Sequence, residues 1–162
     1  MIWNRYGEVY RYQAEQAANK EAYEKYMLLS AEAYEKSLEL KENDAATHNN
    51  LGNTYQVLGI YKEALKHHQQ ALRLVPDDAR TQVNLGNVWM ANQQFKKAEM
   101  AYLEAVNLDP NYAGAWLSLG SVYQRQGQRI EAINAYKTAL RLNPDYQTVV
   151  QKQLVQMEVG ND

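Results

Sequence analysis

AGAWLSLGSVYQRQGQRIEAINAYKTALRLNPDY, residues 113–146, is the stretch that decides the fold. Trp116, Leu119, Gly120 and Tyr123 recur at the three- and four-residue spacing of one helix face. After a polar break at Gly127, Ala132, Tyr136 and Ala139 repeat that spacing, and Pro144 then forbids continuation. The same order returns at residues 79–112 and again at 45–78, without a gap. Leu51, Leu85 and Leu119 stand 34 apart (85 − 51 = 34; 119 − 85 = 34), each followed by glycine. Ala64, Ala98 and Ala132 keep the step, as do Ala71, Ala105 and Ala139, and as do Pro76, Pro110 and Pro144, the only prolines. Self-similarity at a fixed period means a stack of modules, each too small to bury its own apolar face.

The physical logic of the unit follows from side-chain size. Gly52, Gly86, Gly120 and the alanines let two helices approach to about 8–10 Å, and aromatics and leucines fill the gaps between hairpins. A lone helix of a dozen residues is marginal in water, so stability comes from neighbours. Gly59 and Gly127 suit the positive φ that ends a first helix; the middle module has Asn92-Gln93 there, and asparagine is expected to take that role.

These residues resemble the tetratricopeptide repeat. Trp116, Leu119, Gly120, Tyr123, Ala132, Tyr136, Ala139 and Pro144 match its signature in full. The 45–78 module puts His48 and His68 at the two aromatic positions; the 79–112 module has Gln82 and Trp89 at the leading-aromatic and tyrosine positions. The resemblance implies an all-α fold, a right-handed α-solenoid of antiparallel helix pairs, with first helices lining a concave groove.

Residues 1–44 depart from the period. Trp3, Tyr6, Gly7 and Tyr10 reproduce a first helix, and Tyr34, Ser37, Leu38 and Leu40 the end of a second, with some ten residues too many between them. The insert is rich in good helix formers. Residues 1–44 are therefore expected to form an atypical first repeat with both helices lengthened by a turn or more, one long helix being the alternative. Residues 147–159 are expected to form a capping helix, with Val150, Leu154 and Met157 inward and Gln147, Gln151, Gln153 and Gln156 covering the other face.

Composition narrows the function classes. Seventeen basic against nineteen acidic side chains, formal net charge −2, give no electrostatic reason to bind nucleic acid or an anionic membrane. There is no cysteine, which excludes disulfides, thiolate metal sites and cysteine nucleophiles. No apolar run approaches the ~20 residues that cross a bilayer, and the start lacks a signal's apolar core. The expected location is cytoplasmic.

No catalytic constellation is found. The three histidines are His48, His67 and His68, and two of them stand at packing positions. A zinc site from His48 and His68 would need a third ligand that the pattern does not place. The glycines of the LGN segments sit mid-helix, so none forms a phosphate loop. No enzyme activity, cofactor or metal is expected. Arrays that read RNA one base per repeat are basic, and this chain is not.

The groove-facing positions of the first helices are readable from the period. They are Ala46, Asn49, Asn50, Asn53 and Val57 in the 45–78 module, and Arg80, Val83, Asn84, Asn87 and Met90 in the next. The 113–146 module adds Leu117, Ser118, Ser121, Gln124 and Arg125, and the first repeat Asn4, Arg5, Glu8 and Arg11. Asn50 and Asn84 are one period apart, as are Asn53 and Asn87. A carboxamide both donates and accepts, so such rows suit an extended peptide backbone. Helices about 10 Å apart match roughly three residues of extended chain at ~3.3 Å each. The LGN segments resemble the asparagine ladder of O-GlcNAc transferase repeats, which extends to the scaffold alone.

Some relatives clamp chaperone tails with basic residues. Here Asn49 stands where lysine would be wanted, and Gly114 and Ser118 replace later basic residues. The expected function is a non-enzymatic scaffold or adaptor binding a peptide segment of a partner protein. Self-association through the aromatic first repeat, or service as a regulatory fragment of a longer enzyme, are the alternatives.

Overall fold

The structure, a computed structural model, describes residues 2–159, all helix, turn and loop without a strand. Two compact units divide it, Met1–Asp77 and Asp78–Asp162.

The first unit holds α1 (Ile2–Glu15), α2 (Lys20–Leu40), α3 (Ala45–Val57) and α4 (Tyr61–Leu74). Each helix lies against the next. Asn19 starts α2 by accepting the Ala22 N–H at 2.8 Å, and Asp44 starts α3 by accepting that of Thr47 at 3.4 Å. The surplus residues of the first repeat divide unevenly. α1 runs eight residues past Gly7 (15 − 7) where α3 runs five past Gly52 (57 − 52). α2 begins fourteen residues before Tyr34 (34 − 20) where α4 begins seven before His68 (68 − 61). So α1 gains just under a turn and α2 two turns, because Asn19 supplies an N-cap well ahead of the aromatic.

The second unit holds α5 (Ala79–Ala91), α6 (Phe95–Leu108), α7 (Ala113–Arg125), α8 (Arg129–Leu142), a 3-10 turn at Pro144–Tyr146, and α9 (Gln147–Val159). Asp78 caps α5, accepting from the Arg80 N–H at 3.0 Å and the Thr81 hydroxyl at 2.6 Å. α5 pairs with α6, α7 with α8, and α6 lies against α7. α9 covers α8: Val150 is fully buried with Ala132 and Tyr136, flanked by Leu154 and Met157.

One contact recurs in every hairpin. A Cβ added at Gly7 would come within 2.5 Å of the Tyr34 ring, at Gly52 within 2.7 Å of His68, at Gly86 within 2.4 Å of Tyr102, and at Gly120 within 2.5 Å of Tyr136. The second-helix ring thus lies flush on first-helix backbone. Between hairpins, Leu51 packs on Ala31 and Tyr34, and Leu119 joins Tyr102, Ala105 and Val106. Each leucine is fully buried, a contribution of about 1.5–3 kcal/mol.

Two details differ from the expectation. Leu85 is only partly buried, beside Trp89 and Met100 at a shallow recess of the second unit. In the α5–α6 turn the left-handed residue is Gln93 (φ 57°), not Asn92 (φ −86°). Gln93 lies one period from Gly59 and Gly127, both at φ 74°, so the register of the turn overrides asparagine's greater tolerance of that conformation.

Candidate functional site

The first helices carry the candidate contact residues, and each unit presents its own set. On α3 of the first unit, Asn49, Asn50 and Asn53 are half-buried and Val57 is exposed. Asn49 Oδ1 lies 2.9 Å from His68 Nδ1, which ties this carboxamide to the second helix. Asn4 of α1 donates to the Thr47 hydroxyl of α3, joining the two first helices of the unit side by side.

In the second unit, Arg80 and Arg125 are exposed, while Asn84, Asn87, Met90, Leu117, Ser118 and Ser121 are half-buried. Val83 is a correction to the sequence reading. It is 6% exposed, inside the core with Tyr102 and Leu119, because α7 stacks on that side of α5. It offers no surface for contact. Met90 and Leu117 also lean partly on the core beneath them.

The polar side chains of α5 and α7 are held from behind. Tyr102, on α6, donates its hydroxyl to Asn87 Oδ1 at 2.7 Å. Tyr136, on α8, donates to Gln124 Oε1 at 2.9 Å, with Ser121 Oγ 3.3 Å from the same hydroxyl. Burial pushes both phenol pKa values up, so these hydroxyls keep their protons and act as donors. Ser118 donates to the Gly114 carbonyl at 3.0 Å, a bond back along its own helix. The glycine gap makes these contacts possible: the ring crosses first-helix backbone where no Cβ stands. Sequence periodicity placed the tyrosines but not these bonds.

His68 fills the tyrosine position of the α3–α4 hairpin, opposite Gly52. It is fully buried, and desolvation, with His67 next to it, lowers its pKa to about 4. Among the described residues no group of three or more His, Cys, Asp or Glu could hold a metal ion. No described helix is long and apolar enough to cross a membrane.

Hairpins nested by glycine–aromatic contact and repeated every 34 residues define a helical-repeat scaffold. Residues 43–111 match one tetratricopeptide-repeat family model and residues 113–146 another. The chain belongs to the tetratricopeptide repeat family. A comparison with curated proteins gives no match. Among solved structures, one of MamA is 28% identical, with TM-score 0.68 over 74% of this chain and 70% of that one. A MamA double mutant, "RS-1 ArsTM", reaches TM-score 0.75 at 21% identity over 96% and 85%. The first repeat domain of Spaghetti (RPAP3), bound to the HSP90 peptide SRMEEVD, has TM-score 0.68 at 22% identity over 72% and 91%.

Proposed function

We propose that the chain is a non-enzymatic protein-interaction scaffold, and that the first helices of each unit hold an extended segment of a partner protein. What supports this reading is that each unit repeats the same carboxamide pair at the same register, Asn50 and Asn53 on α3 of the first and Asn84 and Asn87 on α5 of the second. Side chains that donate and accept together suit a peptide backbone better than any one side-chain type. With its oxygen bonded to Tyr102, Asn87 offers N–H groups to a carbonyl of the ligand. Arg80 and Arg125 at the margins favour neutral or mildly acidic segments. Rigid helices present these groups without reordering, which lowers the cost of association. The peptide held by the RPAP3 domain is a precedent for the fold alone. The chemistry here differs from a clamp for acidic tails, since Asn49, Gly114 and Ser118 stand at positions where a clamp would want charge.

The test is selection of binding peptides from a random library, followed by titration of the best binder. Asn50→Ala with Asn84→Ala is expected to weaken it about tenfold or more, from bonds worth roughly 0.5–1.5 kcal/mol each, with the helical circular-dichroism signal unchanged. Undiminished affinity removes the carboxamide rows from the mechanism.

A second reading, self-association, has its own observation. α1 leaves Ile2, Tyr6, Val9 and Tyr12 at 47–69% exposure on one side. Tyr6 corresponds to Leu51 and Leu119, which are fully buried. Light scattering across a concentration series is expected to show growth in mass that Tyr6→Glu abolishes; a constant monomer mass for the unmodified chain rules this reading out.

A further inference from the structure

The first unit contains a recess that the groove does not use. His48 stands two periods before Trp116 (116 − 48 = 68). The Trp116 indole donates to the Pro110 carbonyl at 2.9 Å, and His48 Nε2 lies 3.0 Å from the Glu42 carbonyl, again six residues back. A carbonyl only accepts, so Nε2 of His48 carries the proton and its Nδ1 accepts. His67 Nδ1, 2.9 Å away, is then the donor, which leaves His67 Nε2 as an acceptor. The two imidazoles stack at 5.2 Å, and Tyr55 lies 5.7 Å from His67 with its hydroxyl donated to Glu35.

An imidazole where the first and last repeats place the indoles of Trp3 and Trp116 leaves space. A cavity of about 520 Å³ opens there, with Leu38 and the two imidazoles among its lining residues. Four carboxylates line it, Glu35 and Glu39 from α2, Glu42 from the α2–α3 link and Glu63 from α4, against two cations, Lys66 and Arg73. Lys66 is 3.6 Å from Glu63, and Arg73 donates to Gln70. Among the described residues, Glu39 and Glu42 form no ion pair.

We propose that this cavity receives an arginine side chain of a protein partner, as a second binding surface separate from the asparagine rows. The aliphatic stem lies along Leu38, which is only partly buried, and the guanidinium plane meets Glu39 and Glu42 with an imidazole face beneath it. Arginine fits better than lysine because its planar fork matches carboxylates and stacks on flat rings. A metal ion does not fit, since among the described residues no third ligand joins the histidines.

The probe is acetyl-arginine amide, titrated into the whole chain near pH 7.5 and followed through the His48 and His67 imidazole nitrogens by NMR. Acetyl-citrulline amide, with nearly the same shape and no charge, is the control. Saturable shifts with arginine and none with citrulline are expected. Glu39→Gln with Glu42→Gln, both at exposed positions, is expected to raise the Kd at least about fivefold at an unchanged melting temperature, because neutral amides bind guanidinium less well. Equal shifts with citrulline, absence of saturable shifts with arginine, or unaltered affinity in the double variant would overturn the proposal. None of these outcomes depends on the asparagine rows, so the two surfaces stand or fall separately.

Discussion

Gly86→Ala lowers the melting temperature of the second unit, although alanine is the better helix former. At an ordinary mid-helix position the exchange gains about 1 kcal/mol. At Gly86 the new Cβ would lie 2.4–2.9 Å from three ring atoms of Tyr102. That ring is 2% exposed and its hydroxyl is tied to Asn87, so it has nowhere to retreat. Overpacking of this kind costs roughly 1–3 kcal/mol, and Gly86→Leu lies at or beyond the upper end of that range. Trp89 and Trp116 fluorescence during thermal unfolding reads the unit. In a Tyr102→Ala background Gly86→Ala turns neutral or stabilising, since the obstructing ring is gone. A higher melting temperature for Gly86→Ala in the unmodified background refutes the nesting of the hairpin.

Acid selectively weakens the first unit. All three histidines of the chain lie in it. Desolvation, with charge from His48 and Lys66 added, lowers the pKa of His67 to about 4, and desolvation lowers that of His68 equally. Both therefore stay neutral in the folded state while the unfolded chain binds protons near pH 6.5. Between those values the unfolded state holds more protons, so stability falls as pH drops from about 6.5 to 4. For fully buried His68 the loss is on the order of 3 kcal/mol, at 1.36 kcal/mol per pH unit. Trp3 fluorescence in urea titrations at successive pH values follows the first unit. His68→Tyr restores the ring found opposite Gly86 and Gly120, and its hydroxyl is expected to reach Asn53 as Tyr102 reaches Asn87. That variant flattens the pH dependence; an equally steep slope places the effect elsewhere.

Much of the fold was legible because small and aromatic residues recur at fixed separations. Gly52 to His68, Gly86 to Tyr102 and Gly120 to Tyr136 all span sixteen residues, and all three meet. Gly7 and Tyr34 are 27 apart (34 − 7) and meet all the same. Gly7 was legible from its spacing to Trp3, Tyr6 and Tyr10, and Tyr34 from its 34-residue step to His68, but how the surplus divides depended on Asn19, a local cap that periodicity does not register. Gln93 escaped notice because propensity favoured its neighbour while tertiary register chose the conformation. Val83 was misplaced because a helix face computed from one helix cannot say how far the next hairpin covers it. His67 was passed over as one of three scattered imidazoles. Its equivalents Ala101 and Ala135 are small, and that contrast was the available signal for its pairing with His48.

The hydroxyls that Tyr102 and Tyr136 send through the glycine gaps have a consequence for mapping determinants of recognition. Residues on the far helix, invisible to any ligand, set the hydrogen-bonding polarity that Asn87 and Gln124 show to solvent. Tyr102→Phe would leave the contour of the surface intact while letting that carboxamide rotate. A scan confined to solvent-facing positions would therefore miss substitutions that alter this surface from beneath.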